Sequence, residues 1–108
     1  MAKLPFRART STGDVFDFDF PLHSETVSAV RGGQMVSVLL GAIDRDIATA
    51  GAMSDGDLLQ AIAMTMAVRA RMVYAPWPTA GRLAVNLTTV SIDAAAECDR
   101  QLLQHGHA

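Results

Sequence analysis

The sequence is poor in the residues that cross-link, anchor or catalyse. Cys98 is the only cysteine among 108 residues, so no intrachain disulfide can form. That fits a reducing compartment, and the cytoplasm is the expected location. Charged side chains make up only 19% and aromatics 6% of the chain. The net charge is −2, whereas a duplex-binding domain carries a basic face, so no nucleic-acid partner is expected. Lys3, Arg7 and Arg9 alone cluster by sign. They fall in residues 1–13, which read as a loose, solvated N-terminal arm.

Long apolar runs are missing too. The longest, Leu58 to Tyr74, is interrupted by Gln60, Thr65, Arg69 and Arg71, which excludes a membrane span there. The opening MAKLPFRARTSTG lacks the apolar stretch of a secretory signal. No Gly-Lys-Ser/Thr phosphate loop, Gly-x-Gly-x-x-Gly turn or Gly-x-Ser-x-Gly elbow occurs. Cys98 sits among Glu97, Asp99 and Arg100 on what reads as an apolar helix face, the place of a packed thiol rather than an activated one. No cofactor is implied, and a catalytic role is disfavoured.

What the chain does have is apolar content, 50% of residues. A single domain over 1–108 can bury roughly 65% of its unfolded surface. A sphere this small cannot hide all of that apolar surface, so some is exposed or is covered in an oligomer.

The segment GDVFDFDFPLH, 13–23, alternates. Phe16, Phe18 and Phe20 fall on one side, Val15, Asp17 and Asp19 on the other, and Pro21 ends the run, which predicts a half-buried strand near 14–20. Ser24–Gly33 is ambiguous between a short helix ending at Gly32 and a strand over 26–30. Residues 34–50 carry Val36, Leu39, Leu40, Ile43 and Ile47 at helical spacing, so a helix is expected there, with a break at Gly32-Gly33. Ser54 is a good N-cap, and Asp55 and Asp57 suit the first turn of a helix over 55–74. That helix is apolar round most of its circumference and reads as buried at the centre of an assembly. APWPTAG, 75–81, reads as a loop, 82–92 as a strand with a bulge or a bend, and 94–104 as a C-terminal helix before a frayed tail, 104–108. The expected class is α+β: a small antiparallel sheet packed on two long helices. Two strands are too few for a stable sheet, so 26–30 or a second copy must complete it.

Candidate sites follow from this layout. Asp17 and Asp19, with His23 beyond Pro21, could offer ligands to a divalent metal, although alternating aspartates also keep a Phe-rich strand wet. Arg31-Gly32-Gly33 ahead of a helix could hold an anion. Arg69 lies within an apolar face and needs a partner, either Asp46 or an anionic ligand. Met64, Arg71, Tyr74 and Trp77 form a candidate partner-binding set, because Trp and Tyr held by Pro76 and Pro78 make good anchors. His105 and His107 form a His-x-His pair on the tail. The balance favours a non-catalytic homo-oligomeric, dimeric or adaptor protein. A small-molecule or divalent-metal binding protein or enzyme using Asp17, Asp19, His23 and Arg69 is the alternative.

Overall fold

In the computed structural model, which describes residues 2–101, the elements run β1 (Lys3–Arg9), β2 (Val15–Pro21), α1 (Ala29–Ala50), α2 (Asp55–Arg71), α3 (Trp77–Ala96) and β3 (Asp99–Gln101). The α+β class read from the sequence holds. Residues 102–104 of the expected C-terminal helix, and the tail with His105 and His107, lie outside the described residues. Two compact units are distinguishable: the hairpin with the C-terminal part of α3 and β3, and Val30–Leu87.

The sheet is antiparallel in the order β1-β2-β3. The expected loose arm is instead a strand. KLPFRAR alternates Leu4, Phe6 and Ala8, half-buried, against exposed Lys3, Pro5, Arg7 and Arg9. Pro5 is tolerated because β1 is an edge strand, where a missing N–H breaks no ladder. Leu4 pairs with Phe20, Phe6 with Phe18 and Ala8 with Phe16, so one face of the hairpin is apolar throughout. The rings of Phe16 and Phe18 stack at 6.1 Å, and those of Phe18 and Phe20 at 5.2 Å, spacings of offset aromatic pairs. The hairpin closes through Thr10–Asp14. Asp14 N–H donates to Thr10 Oγ1, Gly13 N–H donates to the Thr10 carbonyl, and Gly13 takes φ 94°, which a side chain would disfavour. β3 pairs with the other edge of β2, Phe16 opposite Arg100. The shortage of strands is thus met within the chain by β1 and β3; residues 26–30 are not a strand and no second copy is needed for the sheet.

α1 begins at Ala29 and runs through Gly32-Gly33, where a break was expected. Two helical glycines cost about 1 kcal/mol each relative to alanine, which the rest of a 22-residue helix outweighs. Gly51, at φ 111°, stops it, its N–H donating to the Ile47 carbonyl. α2 starts as the sequence indicates: Ser54 Oγ accepts from Asp57 N–H at 3.1 Å, with Asp55 and Asp57 in the first turn and Arg69 and Arg71 in the last. It ends at Arg71 rather than Tyr74.

α3 corrects three expectations together: the loop 75–81, the strand 82–92 and the helix from 94. A single helix covers Trp77–Ala96. The Pro76 carbonyl accepts from Thr79 and Ala80 N–H, and Pro78 lies in the first turn, where its absent N–H is no loss. The less exposed residues Ala80, Ala84 and Thr88 recur every fourth position, the period of a helix. No helix among the described residues is long and apolar enough to cross a membrane.

Candidate functional site

The alternation of β2 places Asp17 and Asp19 on the face opposite the phenylalanines, as expected. β1 brings cations to both. Arg7 Nε donates to Asp17 Oδ1 at 2.6 Å and Arg7 Nη2 to Asp17 Oδ2 at 3.0 Å, a bidentate pair. Lys3 Nζ lies 3.8 Å from Asp19 Oδ2. The register explains the difference, since Arg7 sits directly opposite Asp17 whereas Lys3 is diagonal to Asp19. The hydrogen bonds from Arg7 hold the Asp17 carboxyl below its usual value, and Asp17 raises Arg7 in return.

A pH dependence follows. Asp17 has a lowered folded-state value, so its contribution to stability is present above the ordinary carboxylate range, about pH 4, and is lost as pH falls through the lowered value. Arg7→Gln removes the pair. Its melting midpoint is expected below the parent's from pH 7 to 5, with the gap closing as pH falls below the ordinary carboxylate value of about 4. A gap that stays constant to pH 2 would assign the effect to something other than Asp17.

Lys3, Asp17, Phe18, Asp19 and Pro21 line an open cleft of about 470 Å³ with Ala94, Glu97 and Cys98. Cys98 follows the end of α3, half-buried, its N–H donating to the Ala95 carbonyl, rather than lying mid-helix. The cleft holds carboxylates, an ammonium and a thiol. His23 is not among its lining residues; its Nδ1 accepts from Glu25 N–H at 3.1 Å in the turn beyond β2. No group of three or more His, Cys, Asp or Glu suited to a metal ion occurs among the described residues.

The other candidates scatter. Arg31 is the third residue of α1, so the glycine loop that was to cradle an anion is helical. Arg69 is exposed and its Nη1 donates to Met72 Sδ at 3.5 Å; no Arg69–Asp46 ion pair is present among the described residues. The partner-binding set is exposed in full: Met64 is 55%, Tyr74 106% and Trp77 43% accessible, and Arg71 stacks over the Trp77 ring at 5.4 Å. Gly81, one turn on, leaves room for that ring; a Cβ there would lie 3.3 Å from it.

The larger feature is one the sequence reading underestimated. Among the described residues only Val15, Ala70 and Ala80 are buried, and no large side chain is. Ile43 and Ile47 are half-buried on the expected face of α1, but Val36, Leu39 and Leu40 on that face are exposed. Leu59, Ile62, Met64, Met66 and Val68 of α2 are exposed as well. The signal was present in the apolar circumference of α2, read there as burial within an assembly.

No protein-family model matches the chain, and no match was found among curated proteins or solved structures.

Proposed function

We propose that the chain is a non-catalytic interaction protein whose helices Val30–Leu87 complete their packing against another polypeptide, first of all a second copy. One observation carries this reading: the unit exposes leucine, isoleucine, valine and methionine along both α1 and α2 and buries only Ala70 and Ala80. Isolated helices of this length are marginal in water, and most helical stability comes from burying an apolar face. Soluble monomers rarely leave such faces open. The single cysteine and the charge of −2 fit a cytoplasmic protein without a nucleic-acid partner. The alternative, a ligand or metal site on Asp17, Asp19, His23 and Arg69, draws little support, because Arg7 and Lys3 already face the two aspartates.

Gel filtration coupled to light scattering tests the proposal. The expected mass at micromolar concentration is a multiple of 11.5 kDa, or a multiple restored by a cognate partner. A strict 11.5 kDa monomer whose Trp77 emission is fully shielded from quencher would overturn it, since the helices would then cover themselves.

A further inference from the structure

We infer that a second copy of this chain docks antiparallel along α2, pairing Asp55 with Arg69 and Asp57 with Arg71 of the other copy. This rests on the assembly reading above and names its interface. α2 carries charge only at its ends: Asp55 and Asp57 in the first turn, Arg69 and Arg71 in the last, with Leu58 to Val68 uncharged between them. Compensation of the helix dipole accounts for acids first and bases last. It does not account for the spacing. Asp55 and Arg69 are two heptads apart, and so are Asp57 and Arg71, so each acid shares a helical position with one arginine.

Asp55, Ile62 and Arg69 therefore run along one flank of a stripe, and Asp57, Met64 and Arg71 along the other. Between the flanks lie Leu58, Ala61, Thr65 and Val68 at the alternating three- and four-residue spacing of a coiled-coil seam. Thr65 suits an apolar seam, because its hydroxyl donates to the Ala61 carbonyl of its own helix at 2.8 Å. Ala70, the buried residue of α2, lies round the opposite side of the helix from Val68; along the seam Thr65 and Val68 are exposed, while Leu58 and Ala61 are half-buried.

A two-fold axis brings the same surface to itself. With the copies antiparallel, the acids at the start of one α2 meet the arginines at the end of the other on both flanks. Ile62 then meets Ile62, and Met64 meets Met64. A parallel pair would set Asp beside Asp and Arg beside Arg, a like-charge penalty that selects against it. A foreign partner would need the same inverted pattern; a second copy has it by construction. Both arginines are available for this role. The weak thioether acceptor that Arg69 uses is easily exchanged for a carboxylate. Arg71 stacks the face of its guanidinium on Trp77, and its edge N–H groups can still donate.

The test uses the full chain and charge reversal, read by light scattering, with circular dichroism for folding. The parent should run as a dimer. Asp55→Arg with Asp57→Arg, and separately Arg69→Asp with Arg71→Asp, should each weaken self-association by at least about tenfold. Mixed one to one, the two variants should regain the dimer, because every flank again pairs opposite charges. Met64→Glu, at an exposed position, should also dissociate the dimer, whereas Met66→Glu, on the other side of α2, should leave it intact; this pair decides the matter even if the reversed variants fold poorly. A parent that stays dimeric while the reversed variants and Met64→Glu do too would overturn the α2 seam and leave the assembly reading standing. A parent that is monomeric up to 100-fold above micromolar concentration would overturn the second copy as occupant and assign the face to a different chain.

Discussion

Phe18→Ala is expected to cost the fold about 2 kcal/mol and to lower the thermal midpoint by roughly 10 °C. Phe18 is the middle ring of the ladder. It stacks on Phe16 at 6.1 Å and on Phe20 at 5.2 Å, and it stands opposite Phe6 across the hairpin. Removing it breaks two aromatic contacts, each worth about 0.5–1.5 kcal/mol beyond area. The ring is half-buried, which places the cost below the 3–5 kcal/mol usual for a fully buried phenylalanine. Asp19→Ala, one residue on but on the opposite face, supplies the control. Its carboxylate is 61% exposed and lies 3.8 Å from Lys3, so the change should stay within about 0.5 kcal/mol. Melting both variants at one protein concentration makes the comparison. Equal losses would mean that the phenylalanine face contributes nothing particular to the hairpin.

That contrast between faces was legible in the sequence, because period two with three phenylalanines admits no other regular element. The start of α2 was legible for a similar reason: Ser54, Asp55 and Asp57 act on backbone groups within one turn, so neighbours in sequence decide the outcome. Other parts failed where two patterns overlapped. Leu83, Val85 and Leu87 alternate as a strand would, and Val85, Thr88, Thr89, Val90 and Ile92 are β-branched or otherwise favour strands. Yet Leu83, Leu87, Val90 and Ala94 also lie at helical spacing, and the helix prevails. The phase slip at Val90, read as a bulge or a bend, is what a period of 3.6 does to a period of 2. β1 was hidden by Pro5 and by a cluster of like charges that suggested a solvated arm. Its cations instead face the carboxylates of β2 across the hairpin, a relation fixed by register that no single strand displays.

The same lesson bears on the candidate site. Asp17 and Asp19 looked free because their partners lie in a segment read as irregular; once that segment is a strand, the pair is a cross-strand ladder of charge. The reverse holds for the helices. Their apolar residues were placed correctly on α1 and α2, but of these two helices only Ala70 is buried, with Ile43, Ile47 and Leu58 half-buried. A pattern of apolar residues states which face leaves water and does not state which chain covers it.

If a second copy covers those faces, stability depends on concentration. Raising the protein from about 1 to 100 μM is expected to raise the melting midpoint by about 6 °C, because a hundredfold change contributes about 2.7 kcal/mol against the unfolding entropy of two chains. The helical signal should follow the same curve, since α1 and α2 leave their large apolar residues exposed when alone and short helices without a packed face melt in water. The hairpin should respond less, as Phe6, Phe16, Phe18 and Phe20 contact one another within the chain. Far-ultraviolet circular dichroism followed over that range separates the two behaviours. A midpoint independent of concentration would mean that the helices find their cover inside one chain, and the exposed stripe of α2 would then have to turn inward against α1 or α3.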